Sequence, residues 1–412
     1  MKRLLVVALL GLMLAPTLAQ KACVPPKTDP EKPPTAIAIP QEFREELFLA
    51  VWESVRDFYI YPDYGGVDWN KVRKEFERPI LESDNAWEVY DLLDKMVLEL
   101  KDPYTRFIPP PQFERTEEQV DPSYVGVGVL VDRTRAETEG QGLRILYVFP
   151  GSPAEAAGLK MRDRIMAVGD DPCPGSNKIR GEAGSKVKLS IHTPGQEPRM
   201  VEIERKRVTP KYDLLAHRLE GNPTIGYIPL YDLGNEDLGP QRLQRELDQA
   251  IKGGPLEGLI LDLRGSRFVS PNLMSNSLGH FVTGKVGKLY TRANNTDLDI
   301  KATTLAETLK NTKIVLLVDQ ATEGIGEQFA VVLQNQKRAQ VVGVTTAGRS
   351  QGVRALDFPD GSQFFITVLG FSLPDGTKLE RRGVIPDAKI EGDWFTFPEA
   401  KDPHIVKAVE LI

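Results

Sequence analysis

Apolar residues recur at helical spacing twice near the start of the chain, first at Leu47, Val51, Val55 and Phe58, then at Trp87, Tyr90, Leu92, Leu93, Met96, Val97 and Leu100. Residues three and four apart share one face of a helix, so both stretches read as amphipathic helices of a small helical segment. Trp52, Tyr59 and Tyr61 are expected in its core. From about 121 to 208 the pattern shortens to alternation, with strands predicted over 124–131 and 143–148, a turn and short helix ending at Gly158, and a further strand. Beyond 209, continuous apolar runs at 225–230, 259–263, 314–318 and 341–344 are separated by helical patterns at 238–251, 271–282 and 327–336. Unbroken apolar strands joined by helices predict a mainly parallel α/β core, buried on both faces.

The first residues follow a different rule. Met1-Lys-Arg3, the apolar run from Leu4 to Leu14 and Thr17-Leu-Ala19 have the charged, apolar and small-residue parts of a secretory leader cleaved after Ala19. The run falls short of the ~20 residues of a spanning helix, so export with removal of 1–19 is expected, leaving no stable membrane span; an uncleaved anchor is the alternative. Pro25, Pro26, Pro30, Pro33, Pro34 and Pro40 make 20–40 an extended, proline-rich tether. A chain of 412 residues, 41% hydrophobic and 27% charged, is globular and long enough for two or three domains. Loss of Lys2 and Arg3 with the leader leaves 52 − 2 = 50 basic against 58 acidic residues, a charge of −8, which argues against a nucleic-acid or anionic-membrane binder. Lys21 argues against lipid modification at Cys23, and Cys173 lies in a turn-forming stretch, Asp170-Asp-Pro-Cys-Pro-Gly175. The two cysteines of an exported chain could pair, and their spacing leaves pairing and two free thiols equally open. There is no metal-ligand cluster, and no cofactor is expected.

The segment from Lys313 to Ala330, Lys-Ile-Val-Leu-Leu-Val-Asp-Gln-Ala-Thr-Glu-Gly-Ile-Gly-Glu-Gln-Phe-Ala, resembles the active-site segment of the carboxyl-terminal processing (tail-specific) serine peptidases. In that family a strand ends in Val-Asn-x-Gly-Ser-Ala-Ser-Ala-Ser-Glu, the middle serine is the nucleophile, and a lysine in a downstream Phe-Gly-Lys-Gly is its base. Counted from Glu327, the nucleophile position falls on Gly324, and 349 − 324 = 25 puts the base position on Arg349. Glycine offers no nucleophile. Arginine stays protonated at physiological pH, whereas a desolvated lysine can be driven neutral. The glutamine that orients the lysine in relatives is Val353 here, and Gly265-Ser-Arg-Phe-Val269 replaces Asn-Asn-Pro-Gly-Gly, where a glycine amide faces the oxyanion. Phe268 and Val269 are expected to obstruct that approach.

The rest of the resemblance is retained from about 45 to 390. It includes Asp102-Pro-Tyr-Thr-Arg-Phe-Ile108, the PDZ-like run from Pro150 to Ile165, and Leu373-Pro-Asp-Gly-Thr-Lys-Leu-Glu-Arg-Arg-Gly-Val-Ile-Pro-Asp387. It implies a multidomain α+β and α/β chain: a helical domain at 41–120, a β-rich PDZ domain at 121–208, a crotonase-like α/β peptidase domain at 209–394 and a closing segment at 395–412. A PDZ domain holds a C-terminal carboxylate on backbone amides of a glycine-rich loop and adds the ligand as a strand to a sheet edge. By resemblance that loop is Gly126, Val127, Gly128 and Val129. Within the degenerate site, loop 319–326 stands at a helix start suited to negative charge and is expected to lie against a peptide strand. Glu327 is expected to cap that helix or pair with Arg349, and Arg349 could instead face the surface or hold a carboxylate bidentately.

The resulting expectation is an exported, noncatalytic relative that binds protein C-terminal tails or peptides. One alternative is an active serine-type peptidase with Thr322 or Ser350 as nucleophile, although no lysine lies between Lys313 and Lys337 and His192, His217, His280 and His404 stand in unrelated contexts. Another is a structural subunit, in a homo-oligomer or beside an active paralogue.

Overall fold

The computed structural model describes residues 38–110, 123–132, 142–230, 240–268 and 276–412. The leader, the tether up to residue 37 with Cys23, Val269 and the first half of the helix expected at 271–282 lie outside the described residues.

Three helices open the fold: α1 (Gln41–Phe58), α2 (Trp69–Glu82) and α3 (Ala86–Leu98). Asp68 caps α2 by accepting from Lys71 N at 3.0 Å, and Asn85 caps α3 through Trp87 N at 3.1 Å, satisfying amides that a helix start leaves without partners. Helix α2 was not foreseen, because Pro79 interrupts it and only Trp69, Val72 and Ile80 are buried along its charged length. The helices enclose Leu47, Val51, Trp52, Val89, Leu93 and Met96. Tyr59 is buried with them, whereas Tyr61 is only half-buried and faces a cleft. The bundle does not stand apart from the rest. Strand β1 (Arg106–Ile108) pairs antiparallel with residues 363–365 far along the chain, and Phe364 and Ile366 complete the helical core.

A β-rich module follows. Its strands are β2 (Tyr124–Gly126), β3 (Val129–Asp132), β4 (Leu143–Val148), β5 (Arg164–Val168), β6 (Lys186–His192), β7 (Arg199–Glu204) and β8 (Lys206–Val208). The order β3-β4-β5-β6-β7 leaves β3 at an edge. The single strand expected at 124–131 is broken at Val127 and Gly128. Gly128 has φ +91°, and a Cβ there would come within 2.2 Å of the Ser152 Cβ, so only glycine carries the chain through this turn. Cys173 is disulfide-bonded, and the sequence holds one other cysteine, Cys23.

The remaining strands are β9 (His217–Leu219), β10 (Asn222–Pro229), β11 (Gly258–Asp262), β12 (Arg267–Phe268), β13 (Gly284–Tyr290), β14 (Asn295–Ile300), β15 (Lys313–Val318), β16 (Glu323–Gly324), β17 (Ala339–Gly343), β18 (Gly352–Asp357), β19 (Gln363–Ser372) and β20 (Ala388–Lys389). Strands β20-β17-β15-β11-β10 are parallel, with β9 antiparallel at the edge. Leu259, Leu261, Ile314, Leu316 and Val318 point into one core, while Ile260, Val315 and Leu317 point into the other beneath helix Pro403–Leu411. Because successive side chains face opposite sides of a strand, covering both faces demands the unbroken apolar runs of the sequence. The expected parallel sheet is present, but it is not alone: β1, β19, β13 and β14, with β18 against β19, form a second, antiparallel sheet.

The segment 393–402 straps the module to the core. On the module, Arg144 and Arg164 pair with Asp393, and Arg162 pairs with Asp402 at 3.0 Å. Asp402 is shared with Arg264 of the core at 2.9 Å, and Arg264 also grips Asp262. The guanidiniums of Arg162 and Arg264 lie 5.3 and 3.7 Å from the centre of a Trp394 ring, close enough for cation–π attraction. Buried charges persist only when paired and hydrogen-bonded. These are.

Candidate functional site

Strand β15 ends in a loop that turns back into helix Ile325–Asn335. Asp319 organises the turn: its Oδ1 accepts from Gly265 N at 2.9 Å and Ala321 N at 3.0 Å, and its Oδ2 accepts from Trp394 Nε1 at 3.2 Å. Thr322 locks it further, donating to Leu263 O at 2.8 Å and accepting from Asp319 N at 3.0 Å. Glu323 and Gly324 then pair in parallel with Arg267 and Phe268. Gly324 is the N-cap of the helix at φ 65°, ψ −131°. That backbone region is left almost entirely to glycine, and a sharp strand-to-helix turn is the geometry that presents a serine in nucleophile elbows.

The loop that follows β17 closes over this turn. Gly324 N donates to Arg349 O at 2.8 Å. Glu327, fully buried, accepts from Gly348 N at 2.7 Å, from Arg349 N at 2.6 Å and from the Thr346 hydroxyl. Burial pushes its carboxyl up, and those three donors work against the rise. The expected alternatives for Glu327 need correction: it neither caps its own helix nor pairs with the Arg349 side chain, but binds the backbone of the facing loop. The Arg349 guanidinium turns instead to Glu323, 3.3 Å from its carboxylate, and stays half-exposed beside the Tyr104 ring.

Other site expectations are placed by the same geometry. Gly324 and Arg349 come together through the backbone, not through reactive side chains. Val353 lies exposed on β18. The amides of residues 321–324 are already committed, to Asp319, Ser266 and Arg349, and β12 occupies the edge of β16, so at those positions the loop does not offer itself to a bound strand. Thr322 is held by backbone partners, and the Ser350 hydroxyl is buried with no hydrogen-bond partner, which leaves neither with a base. Phe268 is placed by its backbone, and Val269 lies outside the described residues.

One cleft lies on the β-rich module and another beside the Arg349 loop. One, of about 210 Å³, runs along the β3 edge between Val127, Gly128, Val129 and the helix end at Ile179 and Arg180. Gly126 pairs with Lys206 beside it. The other, of about 650 Å³, opens between the helical bundle and the Arg349 loop. No group of residues able to hold a metal ion is found among the described residues, and no helix among them is long and apolar enough to cross a membrane.

The chain thus sets a strand–loop–helix turn on a mainly parallel sheet, with a β-rich module and a helical bundle around it. Residues 224–390 match the model of peptidase family S41, and residues 40–97 match the Tricorn protease C1 domain. The chain is 28% identical over 368 residues to a carboxyl-terminal-processing protease of Picosynechococcus sp., covering 86% of this chain and 84% of the relative. It is 27% identical over 374 residues to a chloroplastic C-terminal processing peptidase of Tetradesmus obliquus, covering 84% and 77%. A solved structure of a photosystem II D1 C-terminal processing protease superposes with a TM-score of 0.56 at 26% identity, over 84% of this chain and 93% of that one. Residues 224–390 thus form a peptidase family S41 domain, in a chain whose relatives here are named as carboxyl-terminal processing proteases.

Proposed function

We propose that this chain is an exported, noncatalytic member of the family that binds protein C-terminal tails through residues 121–208, acting as a PDZ domain. The observation that carries the reading is Gly324. The backbone turn suited to a nucleophile is kept, the side chain is gone, and the partner position holds an arginine drawn to Glu323. With neither an attacking oxygen nor a proton acceptor, amide hydrolysis loses the chemistry that splits the bond. Thr322, tied to Leu263, and Ser350, buried without a base, are poor substitutes.

Tail capture is supported by the cleft beside β3. It has an edge strand to which an extended peptide can add, the Gly126–Val129 turn at one end, and apolar walls from Val127, Phe149 and Ile179. Export is supported by the disulfide at Cys173, a bond stable in oxidising compartments such as the periplasm, the cell envelope or the extracellular space.

The test uses the mature full-length chain and a peptide array in which each C-terminus is presented free and amidated. Binding that disappears on amidation, with no cleavage of unstructured tailed proteins, is expected. Equal binding of amidated peptides overturns carboxylate capture, robust turnover lost in Thr322→Ala or Ser350→Ala overturns inactivity, and co-purification with an active paralogue in place of tail binding favours a structural subunit.

A further inference from the structure

We propose that the cleft of about 700 Å³ between helix Pro240–Ile251, the turn at 276–280 and the end of β14 binds a small phosphate monoester, its phosphate held by Arg245, Lys301 and the His280 ring. The cleft has the size of a small-ligand pocket. It shares no residue with the β3 cleft or the Gly324 turn, so it stands independently of tail capture and of catalytic loss.

A close backbone approach fixes its walls. Thr303 N donates to Gly279 O at 2.7 Å, and a Cβ on Gly279 would come within 2.5 Å of Lys301 O. The chain after β14 therefore lies on this turn only because residue 279 is glycine. That contact sets Thr303 against His280, whose Nδ1 is 2.8 Å from the threonine hydroxyl. It also puts Lys301 on one wall, while Arg245 lines another from the helix.

Three groups in the lining lack partners. His280 is only 4% exposed, yet its Nε2 has no hydrogen bond and is not sealed in the interior; it opens on the cleft that the ring lines. Among the described residues, the Arg245 and Lys301 side chains have no hydrogen bond and no carboxylate oxygen within 4.0 Å. A solvated lysine or arginine needs no counter-ion. A histidine buried to that degree with one nitrogen turned outward is the informative member. Neighbouring acids are engaged elsewhere, Asp248 with Gln244 at 3.1 Å and Asp297 with Lys285 at 2.7 Å, which leaves Asp299 as the one acid in the lining.

Burial holds the His280 imidazole below its ordinary pKa against the pull of Asp248, so the ring is neutral near pH 7, with one nitrogen a donor and the other an acceptor. The Thr303 hydroxyl can donate to Nδ1, which leaves the ring proton on Nε2, facing the cleft. One phosphate oxygen accepts there, and the Arg245 fork and the Lys301 ammonium take the other two. A carboxylate has too few oxygens for three donors on three elements. Asp299 accepts from a hydroxyl of the esterified portion, beside Ile300 and Ala302.

Isothermal titration of the mature full-length chain with glycerol 3-phosphate, and with glycerol and acetate as controls, tests the assignment. The ester is expected to bind with a Kd below about 1 mM, and neither control to bind at about 10 mM. Arg245→Gln, Lys301→Gln and His280→Gln should each weaken binding about tenfold, with circular dichroism unchanged. Lys252→Gln, just past the end of the same helix and outside the cleft, should leave it as it was. Of the four histidines, His280, assigned by its loss in His280→Gln, should shift its Nε2 resonance at saturation, which a purely structural histidine would not. Vesicles containing phosphatidic acid separate the sources: binding to them that the same variants weaken makes the monoester a lipid headgroup, and binding of the free ester alone makes it a soluble compound. No binding of glycerol 3-phosphate at about 10 mM, acetate bound as tightly, an unmoved His280 signal, or equal weakening in Lys252→Gln overturns the proposal.

Discussion

Placing a serine at Gly324 is expected to weaken the turn locally. At φ 65°, ψ −131° a residue with a Cβ carries backbone strain of about 1–3 kcal/mol. Against that, any replacement of glycine restricts the unfolded chain and returns roughly 0.4–1 kcal/mol. The net expectation is a loss of about 1–2 kcal/mol, or a factor of roughly 5–30 in the local opening equilibrium. Because the chain is multidomain, a single global unfolding free energy is a poor reporter. Amide hydrogen exchange, followed by mass spectrometry over 319–330 and 346–352, reads the opening where it occurs. Gly324→Ser and Gly324→Ala should accelerate exchange alike, since the strain belongs to the Cβ. Gly66→Ala is the control for conformation alone, with φ +87° and open space around the added atom. Unchanged exchange in Gly324→Ser, or a loss confined to the alanine variant, would refute the strain argument.

Other expected outcomes follow from the same geometry. Gly324→Ser combined with Arg349→Lys should give no cleavage of a tailed substrate above blank, because Val353 is exposed on β18 and supplies no orienting group; turnover of that double variant, followed by gel, counts against the reading. Asp402→Asn removes the charge shared by Arg162 and Arg264, with an expected cost of about 3–5 kcal/mol seen as a lower urea midpoint by tryptophan fluorescence. The carboxyl of Glu327 is raised above its usual 4.5 by burial, so its contribution is full below that value and is lost as pH rises through the raised one; Glu327→Gln should flatten this part of the stability profile. His217 is raised by Glu399, and Glu399 is lowered by His217 after opposing desolvation. The His217 contribution is therefore lost as pH climbs past the folded value above 6.5, and the Glu399 contribution as pH falls below the usual 4.5. The pair is partly exposed and screened, worth under about 1 kcal/mol, so the difference between wild type and His217→Gln should peak between those limits in pH-dependent melting curves.

What the sequence discloses depends on how local the cause is. The parallel strands at 225–230, 259–263, 314–318 and 341–344 are legible because burial on both faces writes a continuous apolar run into each. Strand β18 leaves no such mark, since most of it is exposed, and β19 acquires its partners only when residues from 106 to 372 meet. Arg264 and Asp402 stand 138 positions apart, and nothing in either residue type separates a buried pair from two solvated charges. Glu327 misleads for a related reason. A charge nearby in sequence suggests an ion pair, but a buried carboxylate is satisfied equally well by main-chain donors, which have no signature in the sequence.

The strap at 393–402 bears on how the β-rich module can move. Swinging it away would part Arg144, Arg162 and Arg164 from Asp393 and Asp402 and return all of these groups to water, so the pairs fix where the module docks more than they add to its hold. Trp394, gripped between Arg162 and Arg264, also holds Asp319 at the root of the Gly324 turn. The docking of the module and the shape of the Gly324 turn therefore hang on one indole.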